Sequence, residues 1–330
     1  MLKEVLLAAL ALAWPLVALA QQDDGAQATA ETIEWPLPWK PGTRIEYDQS
    51  YRAVESRDGK QVAITGSDRI VLEIVRADET GFVQRWTGTD PRIETGDLPG
   101  NLAATLRATI EAMRDLAIDV QLDKEGAFAG IANLDEIHPR HREAMREMVE
   151  NLAATGKPDA DAKAAVDRMI DMLTARPVLE QQLADVPAAY NFVSGGGLEL
   201  DAEYEYEDSG TNPLGGEPIP MRNRLHLTTA EDPRFHALTW EVEPDAQAAS
   251  ALAAQAAGQI LAPQVAGQDA SAQEQQRQAL EQARADAKFM TTVTYLVDST
   301  TGVIERMEQV EIKRFGGKDQ TTTTLLQRRH

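Results

Sequence analysis

The chain has 330 residues and no cysteine, and its 53 acidic against 32 basic residues leave a formal charge of −21. That balance argues against nucleic acid and against anionic lipid headgroups, since both require a basic face. Without cysteine there is no disulfide and no thiol-linked lipid anchor, so stability must come from a buried core, for which the length is ample.

The first segment, "MLKEVLLAALALAWPLVALA", carries Lys3, an apolar run and the small-residue pattern Ala18-Leu19-Ala20. Residues 1–20 therefore read as a cleaved secretory signal peptide, which makes the mature chain periplasmic. No later run reaches the about 20 apolar residues of a spanning helix, so no integral membrane segment is expected in the mature chain. Residues 21–42 read as a disordered or extended leader. Its "WPLPWKPG" stretch offers Trp35, Leu37 and Trp39 to pack on the body as a strap.

Residues 43–187 form a first α+β half. "TRIEYDQSYRAVES", "QVAITGSDRIVLEIVRA" and "FVQRWTGTDPRIET" are strand patterns, and "RDGK" and "DETG" are the turns between them. Leu102, Leu106, Ile110 and Met113 predict a helix over 101–116. "AIDVQLDKEGAFAGIANL" reads strand, turn, strand, with Gly126 supplying the positive φ of the turn. Two helices follow over 139–153 and 159–175, separated by Gly156 and Pro158. A shorter one runs from Pro177 to Ala184.

Residues 188–330 repeat that grammar. "LELDAEYEYED" (Leu198–Asp208) alternates with period two, so Glu199, Asp201, Glu203, Glu205 and Glu207 share one side. Side chains two apart on a strand sit about 6.5–7 Å from each other, too far to grip one small cation. The next strand, "MRNRLHLTT", presents Arg222, Arg224 and His226 with the same period. An antiparallel pairing would set them opposite the carboxylates as a charge ladder. "FHALTWEVE" is a third strand. The helical excursion 245–287 is rich in Ala and Gln and poor in large apolar residues, with Leu252, Ile260, Leu261 and Leu280 among the few, so it reads as a weakly packed hairpin. "FMTTVTYLVD", "VIERMEQVEIKRF" and "QTTTTLLQRR" close the pattern. The expected fold class is α+β: an antiparallel sheet curled over helices like a half-barrel, with two pseudo-duplicated βββ-α-ββ halves.

The other side of the 198–242 strands is apolar: Leu198, Leu200, Tyr204, Tyr206, Leu225, Leu227, Leu238, Trp240 and Val242. Helices must cover it. Met145, Met148 and Met169 on those helices are adaptable side chains of the kind that line permissive grooves. Incomplete cover would leave a cup for an apolar molecule, with Leu198, Leu200, Tyr204, Tyr206, Leu225, Leu227, Trp240, Met145, Met148 and Met169 as its candidate residues. Core packing is the plainer reading of the same residues.

"HPRH" puts His138 and His141 at i, i+3, a weak zinc candidate without a third ligand at suitable spacing; a capping and surface role is the plainer reading. No nucleophile elbow, P-loop, dinucleotide fingerprint or H-E-x-x-H occurs, so no cofactor and no catalytic residue are assigned. Abundant carboxylates leave a glycosidase-like pair open, although aromatics are only 5% of the chain.

The order of elements, and the strand-turn-strand "YLVDSTTGVIERME" (Tyr295–Glu308), resemble exported bacterial half-barrel proteins of the lipoprotein-carrier type and uncharacterised periplasmic proteins of the same layout. That resemblance implies an apolar cavity between sheet and helices; the Ala/Gln-rich excursion departs from its pattern. Three functions follow in order. The first is a non-enzymatic binder of an apolar small molecule, a lipid or a hydrophobic envelope partner. The second is an envelope interaction module without a small ligand. The third is a hydrolase.

Overall fold

The computed structural model describes residues 32–330 except 58–59, 97, 99, 113, 115, 154–166, 168–169, 172–173, 211, 213–216, 252–280, 282–286 and 316–317. The signal-peptide pattern at 1–20, most of the helix expected over 159–175, including Met169, and most of the 245–287 excursion lie outside the described residues.

One antiparallel sheet of eleven strands dominates the molecule. Its first part comprises β2 (Arg44–Arg57), β3 (Lys60–Asp78), β4 (Gly81–Glu94), β5 (Ala117–Leu122) and β6 (Phe128–Ile131). Its second comprises β8 (Glu203–Gly210), β9 (Ile219–Thr229), β10 (Phe235–Pro244), β11 (Lys288–Asp298), β12 (Ile304–Phe315) and β13 (Lys318–Arg328). The order across the sheet is β6-β5-β4-β3-β2-β13-β12-β11-β10-β9-β8. The two halves therefore meet along a single seam, β2 against β13, in register from Arg57↔Lys318 to Tyr47↔Arg328. The sheet is curled and not closed. Register shifts between Ser67 and Arg69, Ile74 and Arg76, and Leu296 and Val297 bend it, as bulges do. A separate two-stranded ribbon pairs β1 (Thr32–Glu34) with β7 (Gly197–Glu199).

Three helices have described ends: α1 (Gly100–Ala112), α2 (Leu134–Ala153) and α3 (Arg176–Asn191). Two of them overrun the sequence expectation. The α2 helix starts at Leu134, not at residue 139, and holds Pro139 inside it. Burial explains the extra turn: Ile137 is fully buried and Leu134 nearly so. The α3 helix runs through Pro187 to Asn191, where the sequence suggested a stop at Ala184. Its last turn is pinned by Asn191 Nδ2, which donates to Pro187 O at 2.8 Å and to Gln84 Oε1 at 2.9 Å. No helix among the described residues is long and apolar enough to cross a membrane.

"LELDAEYEYED" is not one strand. Leu198 and Glu199 belong to β7, the chain turns at Leu200–Asp201, and β8 begins at Glu203. The break sits at Asp201, whose φ is 59°. Asp tolerates that left-handed conformation better than most residues, which the alternation of polar and apolar residues conceals.

The core lies on the inner face of the sheet, where the end of α3 crosses both halves. Tyr190 is its centre. Its ring meets Trp86 of β4 edge-on at 5.2 Å and Tyr47 of β2 at 5.6 Å, and its hydroxyl lies 2.7 Å from that of Tyr47. Tyr47 Oη in turn donates to Ile304 O, and Tyr295 Oη donates to Ala189 O, each at 2.8 Å. Phe192, one residue past α3, stacks flat on Trp240 of β10 at 3.8 Å. The "WPLPWKPG" stretch straps this core: Trp35 and Trp39 are both buried, and Trp35 Nε1 donates to His236 Nδ1 at 3.2 Å. The 299–302 turn touches the same strap. Gly302 has φ 70°, and a Cβ there would fall 2.3 Å from Pro36 O.

Candidate ligand-binding site

Alternation fixes which side chains reach the inner face, and these change character along the strands. Where α3 ends, the face is apolar and filled. Leu227, Leu238, Trp240, Tyr295 and Met307 are all at most 1% exposed. Leu225 and Leu198 are buried as well, so four of the apolar residues expected to line a cup, Leu198, Leu225, Leu227 and Trp240, are spent on core packing. Leu200, Tyr204 and Tyr206 stay half-buried at the β8 margin. Tyr204 Oη accepts from Glu199 N at 2.9 Å, which ties the ribbon to the sheet. Met145 and Met148 are half-buried on α2, which packs against α1 and α3.

Further along, at the seam, the inner face turns polar. Gln309 on β12, 2% exposed, donates its amide to Asp185 Oδ1 of α3 at 3.0 Å and to Glu311 Oε1 at 3.2 Å. Lys313 Nζ holds the other Glu311 oxygen at 2.8 Å. Burial, aided by the neighbouring Glu311, pushes the Asp185 carboxyl up to about 7. Tyr51, opposite on β2, is pushed up to about 12 by burial and by Glu311. Asp68, also on the inner face, is raised to about 6 by burial. Sequence reasoning missed this cluster. Its one signal was the polar inner positions Gln309, Glu311 and Lys313 in an otherwise apolar alternation.

The β8–β9 margin holds the third environment. Tyr206 and Asn223 face each other across the two strands, and the next rung is Asp208 opposite Met221. Three buried polar atoms here have no hydrogen-bond partner: Tyr206 Oη, Asp208 Oδ2 and Asn223 Nδ2. Their other atoms are engaged. Trp240 Nε1 donates to Asn223 Oδ1 at 3.0 Å, and Ser209 N donates to Asp208 Oδ1 at 2.7 Å. Burial and the Asp208 charge raise the Tyr206 hydroxyl. At the Asp208–Met221 rung, and reaching round the sheet edge to the outer face, opens a cavity of about 350 Å³, lined by residues that include Glu207, Asp208, Pro220, Met221, Arg222 and Asp245 but, among those described, neither Tyr206 nor Asn223. Asp245 also starts the helical stretch 246–251, its Oδ1 accepting from Gln247 N at 2.8 Å.

The acidic row lies on the opposite, outer face. Glu203, Glu205 and Glu207 oppose His226, Arg224 and Arg222, the register that complementary charge predicts. Arg222 and Arg224 lie 3.5–3.9 Å from Glu205, Glu241 and Glu243, a loose exposed ladder that adds little stability. The histidines sit within α2. His138 Nε2 bonds Thr174 O at 2.8 Å, while burial and then the His138 charge lower the His141 imidazole. Among the described residues no group of three or more His, Asp or Glu side chains is placed to hold a metal ion.

No protein-family model matches this chain, and no curated protein matches it either. Among solved structures, lipovitellin, described for its lipid–protein interactions, is similar at TM-score 0.48 and 8% identity, over 88% of this chain and 25% of its own. DynF, from the dynemicin biosynthesis pathway of Micromonospora chersina, is similar at TM-score 0.18 and 7% identity, over 93% of this chain and 91% of its own. This chain thus spans a quarter of the length of the lipovitellin chain it matches.

Proposed function

We propose that the chain is a non-enzymatic binding protein of the cell envelope, and that it takes an apolar or amphipathic small molecule in the cavity along the β8–β9 edge of the sheet. The cavity of about 350 Å³ carries this reading, because its wall includes Met221 and Pro220 beside Asp208, whose buried Oδ2 stands without a partner. A concave volume with apolar and polar side chains on its wall is how small-molecule sites are built. Placement in the envelope rests on the signal-peptide pattern of residues 1–20. A partner-docking module is the weaker reading. It calls for a flat apolar patch, and among the described residues Val75, at 39%, is the one large apolar side chain that stands exposed.

Native mass spectrometry of residues 21–330, purified from a Gram-negative periplasm without detergent, tests the proposal. The expected result is a mass excess that organic solvent strips away. A bare protein mass, together with no thermal stabilisation by any amphiphile tried, would overturn it.

A further inference from the structure

The large sheet ends in β6 on one side and β8 on the other, and the two edges differ. β6 is four residues long, its pairing with β5 shifts register between Gln121 and Leu122, and Gly130 within it takes a φ of 142°. The α3 helix packs beside it, with Glu180 Oε1 3.4 Å from where a Cβ of residue 130 would stand. A short, bulged and covered strand is how folds keep an edge from pairing with another chain. β8 has none of these guards. Its eight residues run against β9 without a register shift, from Glu203↔His226 to Gly210↔Ile219, and hold no proline. Among the described residues no strand pairs with its other side.

The guard that β8 does carry is charge, and charge is selective. Glu203, Glu205 and Glu207 stand exposed on the outer face. That face alternates in sign from strand to strand. Glu241 and Glu243 of β10 oppose Arg224 and Arg222 of β9, which in turn oppose Glu205 and Glu207 of β8. The next strand of that series is basic. The arginines leave the β8 row unsaturated. Both lie within 4 Å of Glu205 and are shared with Glu241 and Glu243, whereas among the described residues neither Glu203 nor Glu207 has an ion pair. A second copy of β8 would set glutamate against glutamate, and like charges directly opposite destabilise a strand pair. On the inner side, Tyr204 and Tyr206 pack on the core yet stay half-exposed, so apolar side chains beside them would complete their cover. Strand addition takes its affinity from main-chain hydrogen bonds and its specificity from alternate side chains, and it needs no flat apolar patch.

We propose that the free edge of β8 receives an extended segment of another protein, alternating basic and apolar residues, as an added strand of the sheet. Its lysines or arginines face the Glu203, Glu205 and Glu207 row, and its apolar residues prolong the inner face past Tyr204 and Tyr206. This interaction goes beyond the small-molecule reading and stands or falls separately from it.

Fluorescence anisotropy of labelled peptides as long as the eight residues of β8, titrated with residues 21–330, tests the proposal. One peptide alternates lysine and valine, one alternates glutamate and valine, and one groups the same lysines and valines in two blocks. The alternating basic peptide should bind at least about tenfold tighter than either of the others. Two further peptides carry N-methyl groups on the lysine nitrogens or on the valine nitrogens. One of these should lose binding and the other keep it, because an added strand uses one of its two edges. Hydrogen exchange should show new protection in residues 203–210. Glu203→Lys with Glu207→Lys should weaken the basic peptide and strengthen the acidic one. Equal binding of the alternating and grouped peptides would reduce the effect to net charge and overturn the proposal. No binding below about 1 mM, or protection gained away from β8, would also overturn it. Dimerisation of the protein that protects β8 in the absence of peptide would assign the edge to a second copy instead.

Discussion

Asp185 shows how one residue makes the molecule respond to pH. Its carboxyl, ordinarily near 3.8, is raised to about 7 by burial and by the adjacent Glu311. The folded protein therefore holds a proton that the unfolded chain has released. Its stabilising effect is complete below about pH 4 and is lost as pH rises through about 7. Asp68, raised to about 6 by burial, acts in the same direction. Asp185→Asn should thus melt close to the parent at pH 4 and progressively higher than it toward pH 8.5. Thermal melts across that range check the sign, and parallel curves would refute it. None of this was legible from the chain alone. Asp185 sits in "QQLADVPAAY", where nothing marks it as lying under a sheet. Its shift comes from burial under the sheet and from Glu311, more than a hundred residues away, and the hydrogen bond from Gln309 opposes it. The outer charge ladder was legible, because Glu205 and Glu207 find Arg224 and Arg222 through local alternation that needs only an antiparallel partner. Tyr206 and Asn223 were readable as inner-face residues. That Trp240 occupies the Asn223 oxygen and leaves the amide nitrogen without a partner is something no spacing reveals.

At the level of elements, the decisive piece is the last turn of α3 with Phe192 behind it. Pro187 looks like a terminator in sequence, and a proline inside a helix removes one backbone hydrogen bond. Here burial of Ala188, Ala189 and Tyr190 and the paired amides of Asn191 and Gln84 outweigh that loss. Tertiary packing overrides local propensity in the same way at the start of α2. The strands were easier to read. Alternation and the Asp-Gly and Thr-Gly turns place β2 to β6 and β9 to β13 within a few residues, whereas the turn at Asp201 escaped because it keeps the period-two pattern on both sides. Phe192 is the element's hold on the second half of the sheet. Phe192→Leu should lose the stack on Trp240, worth about 1 kcal/mol, and Phe192→Ala should cost about 3 kcal/mol by opening a void. Urea denaturation monitored by far-UV circular dichroism distinguishes the two. No cost for Phe192→Leu would mean that the stack contributes nothing beyond the filled volume.

Over the whole molecule, the sheet has one joint. Everything from β3 to β6 connects to everything from β12 to β8 through β2 and β13. The same two halves are also bound by α3, whose final turn touches Tyr47 and Trp86 on one side and Tyr295 on the other. Two independent ties should make the protein melt as one unit, although the expected βββ-α-ββ repeat is matched only in the first half, the second closing with three strands, β11 to β13. Thr323→Pro, which removes a ladder donor opposite Arg52, should weaken both halves together. Hydrogen exchange should then show β4 and β10 losing protection in parallel; loss confined to β10 would mean that the halves fold separately.

The seam also sets a clock. Asp48 and Arg329, joined at 2.6 Å across its end, are 281 residues apart in the chain. On a ribosome adding about 5–20 residues per second, roughly fifteen to sixty seconds separate the two sides of that contact. Throughout that interval β2 presents an unpaired edge, with only β3 beside it. The nascent chain is thus held away from its native state by its own topology. It stays threadable while synthesis proceeds, and it is vulnerable to any other strand that reaches the edge first.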